Sequence, residues 1–245
     1  MPKLEAYSKK LDYSYCLGVF PCHALLDAKP EMAVRLLLHP QGVGNEGVEK
    51  LRERCAALGI REEMAERVLK RESKKDNCFA AIVFKKYDCG LSPDDAHAVF
   101  CQISDGGNLG TACRAAVGFG YKNLAVIRPC VDVFDPHVLR ASMGAFFRLN
   151  THVFNSFDEY LALNKDREMY PFMLDGAIPL NAAAENANKK HTLIFGNEAS
   201  GLPAVFQTYG QSVKIPQSDE IDSLNLAVAA SIAMYTFQNT PRIRR

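Results

Sequence analysis

Three turns in this sequence carry residue types able to do chemistry. They read Ser104-Asp-Gly-Gly-Asn-Leu-Gly-Thr-Ala-Cys-Arg114, Phe195-Gly-Asn-Glu-Ala-Ser-Gly-Leu-Pro203 and Ile215-Pro-Gln-Ser-Asp-Glu-Ile-Asp-Ser-Leu-Asn225. In the first, Asp105 and the glycines permit a sharp entry into a helix whose leading N–H groups have no intrahelical partner. Such a start can hold a phosphate. Arg114 then lies about 9 Å beyond Asn108 along the axis, at 1.5 Å per residue. The same residues also make an ordinary capped helix with one surface arginine. Gly106, Gly107 and Gly110 do not fit G-x-G-x-x-G and no P-loop lysine follows, so neither nucleotide fingerprint is present. In the second turn, the Glu198 carboxylate beside a strand end must be paired or solvated. It belongs either to a helix start leading to Pro203 or to a backbone-lined pocket where it orients another group. In the third, Ser223 reads as the N-cap of an almost wholly apolar helix. Asn225, in that helix's first turn, needs partners for its amide.

The elements around these turns follow from periodicity. Strands are predicted at 98–104, 123–127, 151–154, 171–174, 192–196 and 212–215, and helices at 109–119, 136–147, 157–166, 181–190, 203–209 and 223–237. Strand and helix alternating at this spacing imply a parallel sheet covered on both faces. Its ligands belong beyond the carboxyl ends of the strands, where the three turns fall. Ahead of this lies a smaller α/β pattern: a strand at 33–39, a helix at 46–58, a short helix at 62–71 and a strand at 79–84. Val48, Leu51, Cys55 and Leu58 form one face of the 46–58 helix, with Gly59 as its stop. The polar segment 85–95, with Gly90 and Pro93, reads as a linker. The basic stretch 67–75 is either a solvated face or a contact for RNA phosphates.

Composition narrows the classes. The 245 residues are 48% hydrophobic and 23% charged, which suits a globular chain and excludes disorder, collagen and coiled-coil rods. With 29 basic and 28 acidic residues there is no global basic field, so nucleic-acid binding would need a local patch. No apolar run is long enough to span a bilayer, and the first ten residues lack a signal-peptide core, so a cytoplasmic protein is expected. None of the eight cysteines forms a C-x-x-C pair and the six histidines are scattered, so no metal site is expected.

Together the turns resemble the motifs of the SpoU (TrmH) family of RNA 2′-O-ribose methyltransferases, in the SPOUT class. The family pattern N-x-G-x-x-x-R-x-A-x-x-F-G is matched by Asn108, Gly110, Arg114, Ala116, Phe119 and Gly120. G-x-E-x-x-G-L is matched by Gly196, Glu198, Gly201 and Leu202, and I-P…S-L-N by Ile215, Pro216, Ser223, Leu224 and Asn225. Ala141-Ser-Met-Gly-Ala145 is similar to a further family segment. The likeness covers about residues 97–240, and residues 14–86 more faintly resemble the small ribosomal-protein-like domain that precedes it in many members. Gly106-Gly107 departs from the usual Asp-Pro, and the loop 217–222 carries three acids where a glycine is usual.

The resemblance implies an α/β fold: a C-terminal SPOUT-type parallel sheet with a trefoil knot over 91–245, and a small α/β RNA substrate-binding domain over 1–90. It implies S-adenosylmethionine held near Leu174, Gly196, Ile215 and Leu224, and methyl transfer to a ribose 2′-hydroxyl of tRNA or rRNA. Arg114 would act with Asn108, Glu198, Ser223 and Asn225 around it. A homodimer is implied, with no metal and no membrane. The resemblance makes Arg114 the activator of the hydroxyl; since a guanidinium loses its proton only above about pH 12, the preferred reading is that Arg114 holds a substrate phosphate or the developing alkoxide, and the identity of the base is left open. The rival reading is a non-catalytic RNA-binding protein that retains the fold.

Overall fold

The computed structural model describes residues 4–73 and 77–241. The chain forms two compact units: residues up to Tyr87 together with Asp132–Arg148, and Asp88–Val131 together with the chain from Leu149 onward.

The first unit begins β1 (Tyr13–Leu17), α1 (Val19–Ala28), β2 (Ala33–Leu38), α2 (Glu46–Ala57), β3 (Arg61–Met64), α3 (Glu66–Ser73) and β4 (Ala80–Lys85). Its sheet runs β1-β4-β2-β3, with β4 antiparallel to both neighbours and β3 parallel to β2. Helix α2 forms as its pattern requires. The Asn45 side chain caps it by accepting from the Gly47 and Val48 N–H groups, and Val48, Leu51 and Cys55 are buried. The helix predicted over 62–71 is instead the edge strand β3 followed by α3. All four β3 residues are exposed, and Glu62 and Glu63 bind Arg52 at 2.7 Å and Arg35 at 2.9 Å. Charges on an edge discourage further strand pairing. In the basic stretch, Lys70 pairs with Glu66 and Arg71 with Glu72; Lys74 and Lys75 lie outside the described residues.

The second unit opens with β5 (His97–Cys101), α4 (Gly106–Gly118) and β6 (Asn123–Ile127). The segment that follows packs into the first unit. It holds α5 (Pro136–Ala141) and a 3₁₀ turn at Ala145–Arg148. The single helix predicted over 136–147 breaks because Met143 and Gly144 take left-handed φ values of 50° and 84°. A Cβ at Gly144 would overlap the Ala24 side chain, so only glycine fits there. Past this break, Phe147 meets the Phe84 ring edge-on at 5.4 Å, and Phe134 lies 6.1 Å from Phe84.

The second unit resumes with β7 (Asn150–Phe154), α6 (Phe157–Leu163), β8 (Glu168–Pro171), β9 (Ile178–Pro179), α7 (Leu180–Asn186), β10 (His191–Phe195), β11 (Val213–Lys214) and α8 (Leu226–Asn239). The main sheet runs β7-β6-β5-β10-β8 and every pairing is parallel. Each residue of β5, β6 and β10 is buried, as expected of parallel strands covered on both faces. The strand predicted at 171–174 ends at Pro171, and the one predicted at 212–215 shrinks to β11, which pairs with β9 and is bridged by Val213 to Phe172. The helix predicted at 203–209 is a 3₁₀ turn at Ala204–Thr208, whose Phe206 packs 4.6 Å from Phe157.

Near the amino end of β5 a buried relay fixes the segment before it. Arg167 Nε donates to Thr192 Oγ1 (3.0 Å), and Thr192 and Tyr160 share a bond of 2.9 Å. Tyr160 meets His97 Nδ1 at 2.9 Å, and His97 Nε2 lies 2.7 Å from the Ser92 carbonyl. That carbonyl can only accept, so Nε2 carries a proton. Burial, aided by the Arg167 charge, pushes the His97 pKa down to about 4, so at neutral pH the ring is uncharged and Nδ1 accepts from Tyr160.

Candidate active site

The site grows from the ends of three adjacent strands, β5, β10 and β8. Beyond β5, Asp105 caps α4 by accepting from Asn108 N–H at 2.7 Å. Beyond β10 comes Gly196-Asn197-Glu198. The Glu198 carboxylate crosses to the β5 side. Its Oε1 accepts from Asp105 N–H (3.0 Å) and Asn108 Nδ2 (3.3 Å). Its Oε2 accepts from Ser104 N–H (3.3 Å), Ser104 Oγ (3.1 Å) and Asn197 Nδ2 (3.3 Å). Burial is the largest single influence on this carboxyl and pushes its pKa up. The main-chain N–H groups of Glu198, Asp105 and Ser104, with Asn108, outweigh it, so the pKa lies below the ordinary carboxylate value.

The third turn joins through Asn108. A carboxylate only accepts, so Asn108 presents its NH₂ to Glu198 and its carbonyl oxygen the other way. That oxygen accepts from Asn225 Nδ2 at 2.9 Å. Asn225 Oδ1 in turn accepts from Ala227 and Val228 N–H, at 2.9 and 3.3 Å, and so caps α8. The two amides can be oriented only one way. The cap of α8 is thus Asn225, not Ser223 as the sequence suggested. Its amide partners are the helix start on one side and Asn108 on the other.

Beside this relay lies a cleft of about 340 Å³, in the size range of small-molecule sites. Its wall includes Leu174 and Asp175 beyond β8, Gly196 and Glu198 beyond β10, and Ile215, Ser223 and Leu224 before α8. A Cβ at Gly196 would overlap the main chain of Gly201 and Leu202. The wall there is backbone.

All four residues expected to hold a cofactor, Leu174, Gly196, Ile215 and Leu224, line this cleft, as do Glu198 and Ser223. Asn108 bonds to Glu198, Asn225 reaches Glu198 through Asn108, and neither lines the cleft. Arg114 stands on the same helix as Asn108, exposed; among the described residues it has no hydrogen-bond or ion-pair partner. Sequence reasoning missed Ser104, Asn197 and Gln102. Asn197 Nδ2 donates to the Gln102 carbonyl at 2.8 Å. Gln102 sits at φ 57°, a left-handed conformation that costs a non-glycine residue roughly 1 kcal/mol. The only visible sign of Asn197 was its place between Gly196 and Glu198. Among the described residues no helix is long and apolar enough to cross a membrane, and no group of three or more His, Cys, Asp or Glu could hold a metal ion.

A parallel sheet with a cleft beyond its carboxyl edge is the arrangement in which open α/β folds bind their ligands. The solved structure of an AdoMet-bound rRNA methyltransferase from Sinorhizobium meliloti superposes with a TM-score of 0.77, over 92% of this chain and 87% of that one, at 23% identity. Residues 95–235 match the model of the SpoU rRNA Methylase family, and the chain belongs to that family. It is 29% identical over 135 residues to an uncharacterized tRNA/rRNA methyltransferase of Synechocystis, covering 55% of this chain and 49% of that protein. It is 29% identical over 147 residues to the tRNA (cytidine/uridine-2′-O-)-methyltransferase TrmJ of Escherichia coli, covering 56% of this chain and 60% of that protein. The chain therefore spans about half the length of the curated relatives it matches.

Proposed function

We propose that this chain is an S-adenosylmethionine-dependent RNA methyltransferase acting on a ribose 2′-hydroxyl of tRNA or rRNA. The observation that carries the reading is the Glu198–Asn108–Asn225 relay, which ties three family motifs to one cleft. The cleft suits the donor in volume, and Gly196 with the Gly201–Leu202 main chain packed against it forms part of its wall. Leu174, Gly196, Ile215 and Leu224 would hold it. When bound, S-adenosylmethionine supplies a methyl group on a positively charged sulfur. Glu198 and Asn108 hold the 104–108 turn in place, and Ser223 faces the cleft from the third turn. Arg114, exposed and unpaired, holds the substrate phosphate or the oxygen on which charge develops. Holding both reactants in line supplies much of the rate in such a transfer.

The assembly belongs to the same proposal. Val228, Ile232 and Tyr235 recur at i, i+4 and i+7 on α8, and are 46%, 37% and 55% exposed. An apolar helix face left open in this way suits a second copy of the chain. A trefoil threading of the C-terminal segment, as the family resemblance implies, is part of the same reading. The first unit would contact RNA. No disulfide joins cysteines among the described residues, which suits the cytoplasm.

The test is transfer of a tritiated methyl group from S-adenosylmethionine to RNA of a strain lacking the gene. Ribose methylation appears as label in alkali-resistant dinucleotides. Label on a base overturns the ribose assignment, and RNA binding without transfer returns the chain to the non-catalytic reading.

A further inference from the structure

We infer that Asn197 is a positioning residue: through the main-chain carbonyl of Gln102 it holds the 102–108 turn against the donor cleft. The inference rests on the reading of that cleft as the donor site and adds a residue that the family motifs do not mark here.

The Asn197 amide is fully committed. Its Oδ1 accepts from Ala199 N–H (2.9 Å) and Ser200 N–H (3.2 Å). This turns Nδ2 the other way, toward the Gln102 carbonyl at 2.8 Å and Glu198 Oε2 at 3.3 Å. Its main chain is fixed too, by a reciprocal pair with Gly201 at 3.2 and 2.9 Å. The amide therefore acts from a rigid base. Gln102, by contrast, is exposed and left-handed at φ 57°. Its main chain is held by two bonds: its N–H to the Ile127 carbonyl at 3.0 Å, and its carbonyl to Asn197. Two and three residues on, Ser104 and Asp105 deliver their N–H groups to Glu198. If Gln102 relaxed to an ordinary φ, the chain direction at 103–105 would change. Asp105, the cap of α4, and Asn108, the centre of the relay, would move with it. One amide thus sets the 197–200 wall of the cleft and the turn that leads to Arg114.

A purely local role, forming the 197–200 turn, makes a different prediction. Asn197→Asp keeps the acceptor for Ala199 and Ser200 and removes the donor to Gln102, together with the longer one to Glu198. Two readouts are used on the full chain: amide hydrogen exchange, and calorimetric titration with S-adenosylmethionine. In Asn197→Asp, exchange at 102–109 should rise about tenfold or more, and the donor should bind about tenfold more weakly. Adding Gln102→Gly should recover most of both losses, because glycine adopts a left-handed φ without being held. Asn197→Ala, read the same way, answers the question if the added charge beside Glu198 unfolds the first variant. Faster exchange confined to 197–201, or no recovery with Gln102→Gly, overturns the inference. If the wild-type chain binds no donor, the cleft reading fails, and the exchange pattern alone decides the role of Asn197.

Discussion

Glu198→Gln keeps the shape of the side chain and removes its charge, and the geometry sets how much this costs. Oε1 serves two donors and Oε2 three. A glutamine offers one acceptor oxygen and one NH₂. If the NH₂ replaces Oε1, Asp105 N–H and Asn108 Nδ2 face a donor. Asn108 cannot flip to compensate without losing Asn225. If it replaces Oε2, Ser104 N–H and Asn197 Nδ2 are stranded instead. Either way at least two charge-assisted bonds are lost, each worth about 1.5–3 kcal/mol. The carboxylate is only half-buried and water replaces part of that, which leaves about 2–3 kcal/mol. Donor affinity in Glu198→Gln should therefore fall roughly 30- to 150-fold by calorimetry at neutral pH. The wild type should also show a pH signature. Its carboxyl pKa is depressed, so the stabilisation is complete above the ordinary carboxylate range and is lost as the pH falls through the depressed value. Glu198→Gln should be flat across that window. A donor affinity within twofold of wild type would refute the view that this carboxylate holds the three turns together.

Gly196→Ala places a Cβ into the main chain of Gly201 and Leu202, which cannot swing aside, and should cost at least about 2 kcal/mol in urea unfolding and abolish donor binding. His97 is held neutral with a pKa near 4, so the unfolded chain takes up a proton first. Stability should be full above about pH 6.5 and fall by up to about 3 kcal/mol as the pH drops toward 4. Urea titrations of His97→Asn should lack this slope. If α8 pairs two copies as proposed, Val228→Glu with Ile232→Glu should shift the sedimentation coefficient from dimer to monomer while leaving the far-ultraviolet circular dichroism unchanged, since both side chains face solvent in the single chain.

Much of the second unit was readable because its strands are short apolar runs with turn residues at both ends. The β6 range 123–127 matches the sequence expectation residue for residue. Elements set by tertiary context were not readable. The Arg-Glu-Glu-Met run of β3 favours helix by propensity and becomes a strand through pairing with β2 and ion pairs to Arg35 and Arg52. Helix α1 follows Gly18 without a side-chain cap, contains Pro21 in its first turn and has no clear apolar stripe, so it gave no signal. The placement of residues 132–148 in the first unit depends on contacts of Phe134 and Phe147 with Phe84, which no spacing reveals. At the site, glycines and amides stood out by type. What they bind did not: that Asn225 rather than Ser223 caps α8 follows from the amide orientation imposed by Glu198 through Asn108.

The most direct test is calorimetric titration of S-adenosylmethionine into the wild-type chain and into Arg114→Ala. Arg114 lies outside the cleft wall and bonds to nothing among the described residues. Both proteins should bind the donor with affinities within about twofold, while only the wild type transfers the methyl group to RNA. A wild-type chain that takes up no heat-detectable donor would contradict the account at its centre, and loss of donor binding in Arg114→Ala would contradict the role given to that arginine.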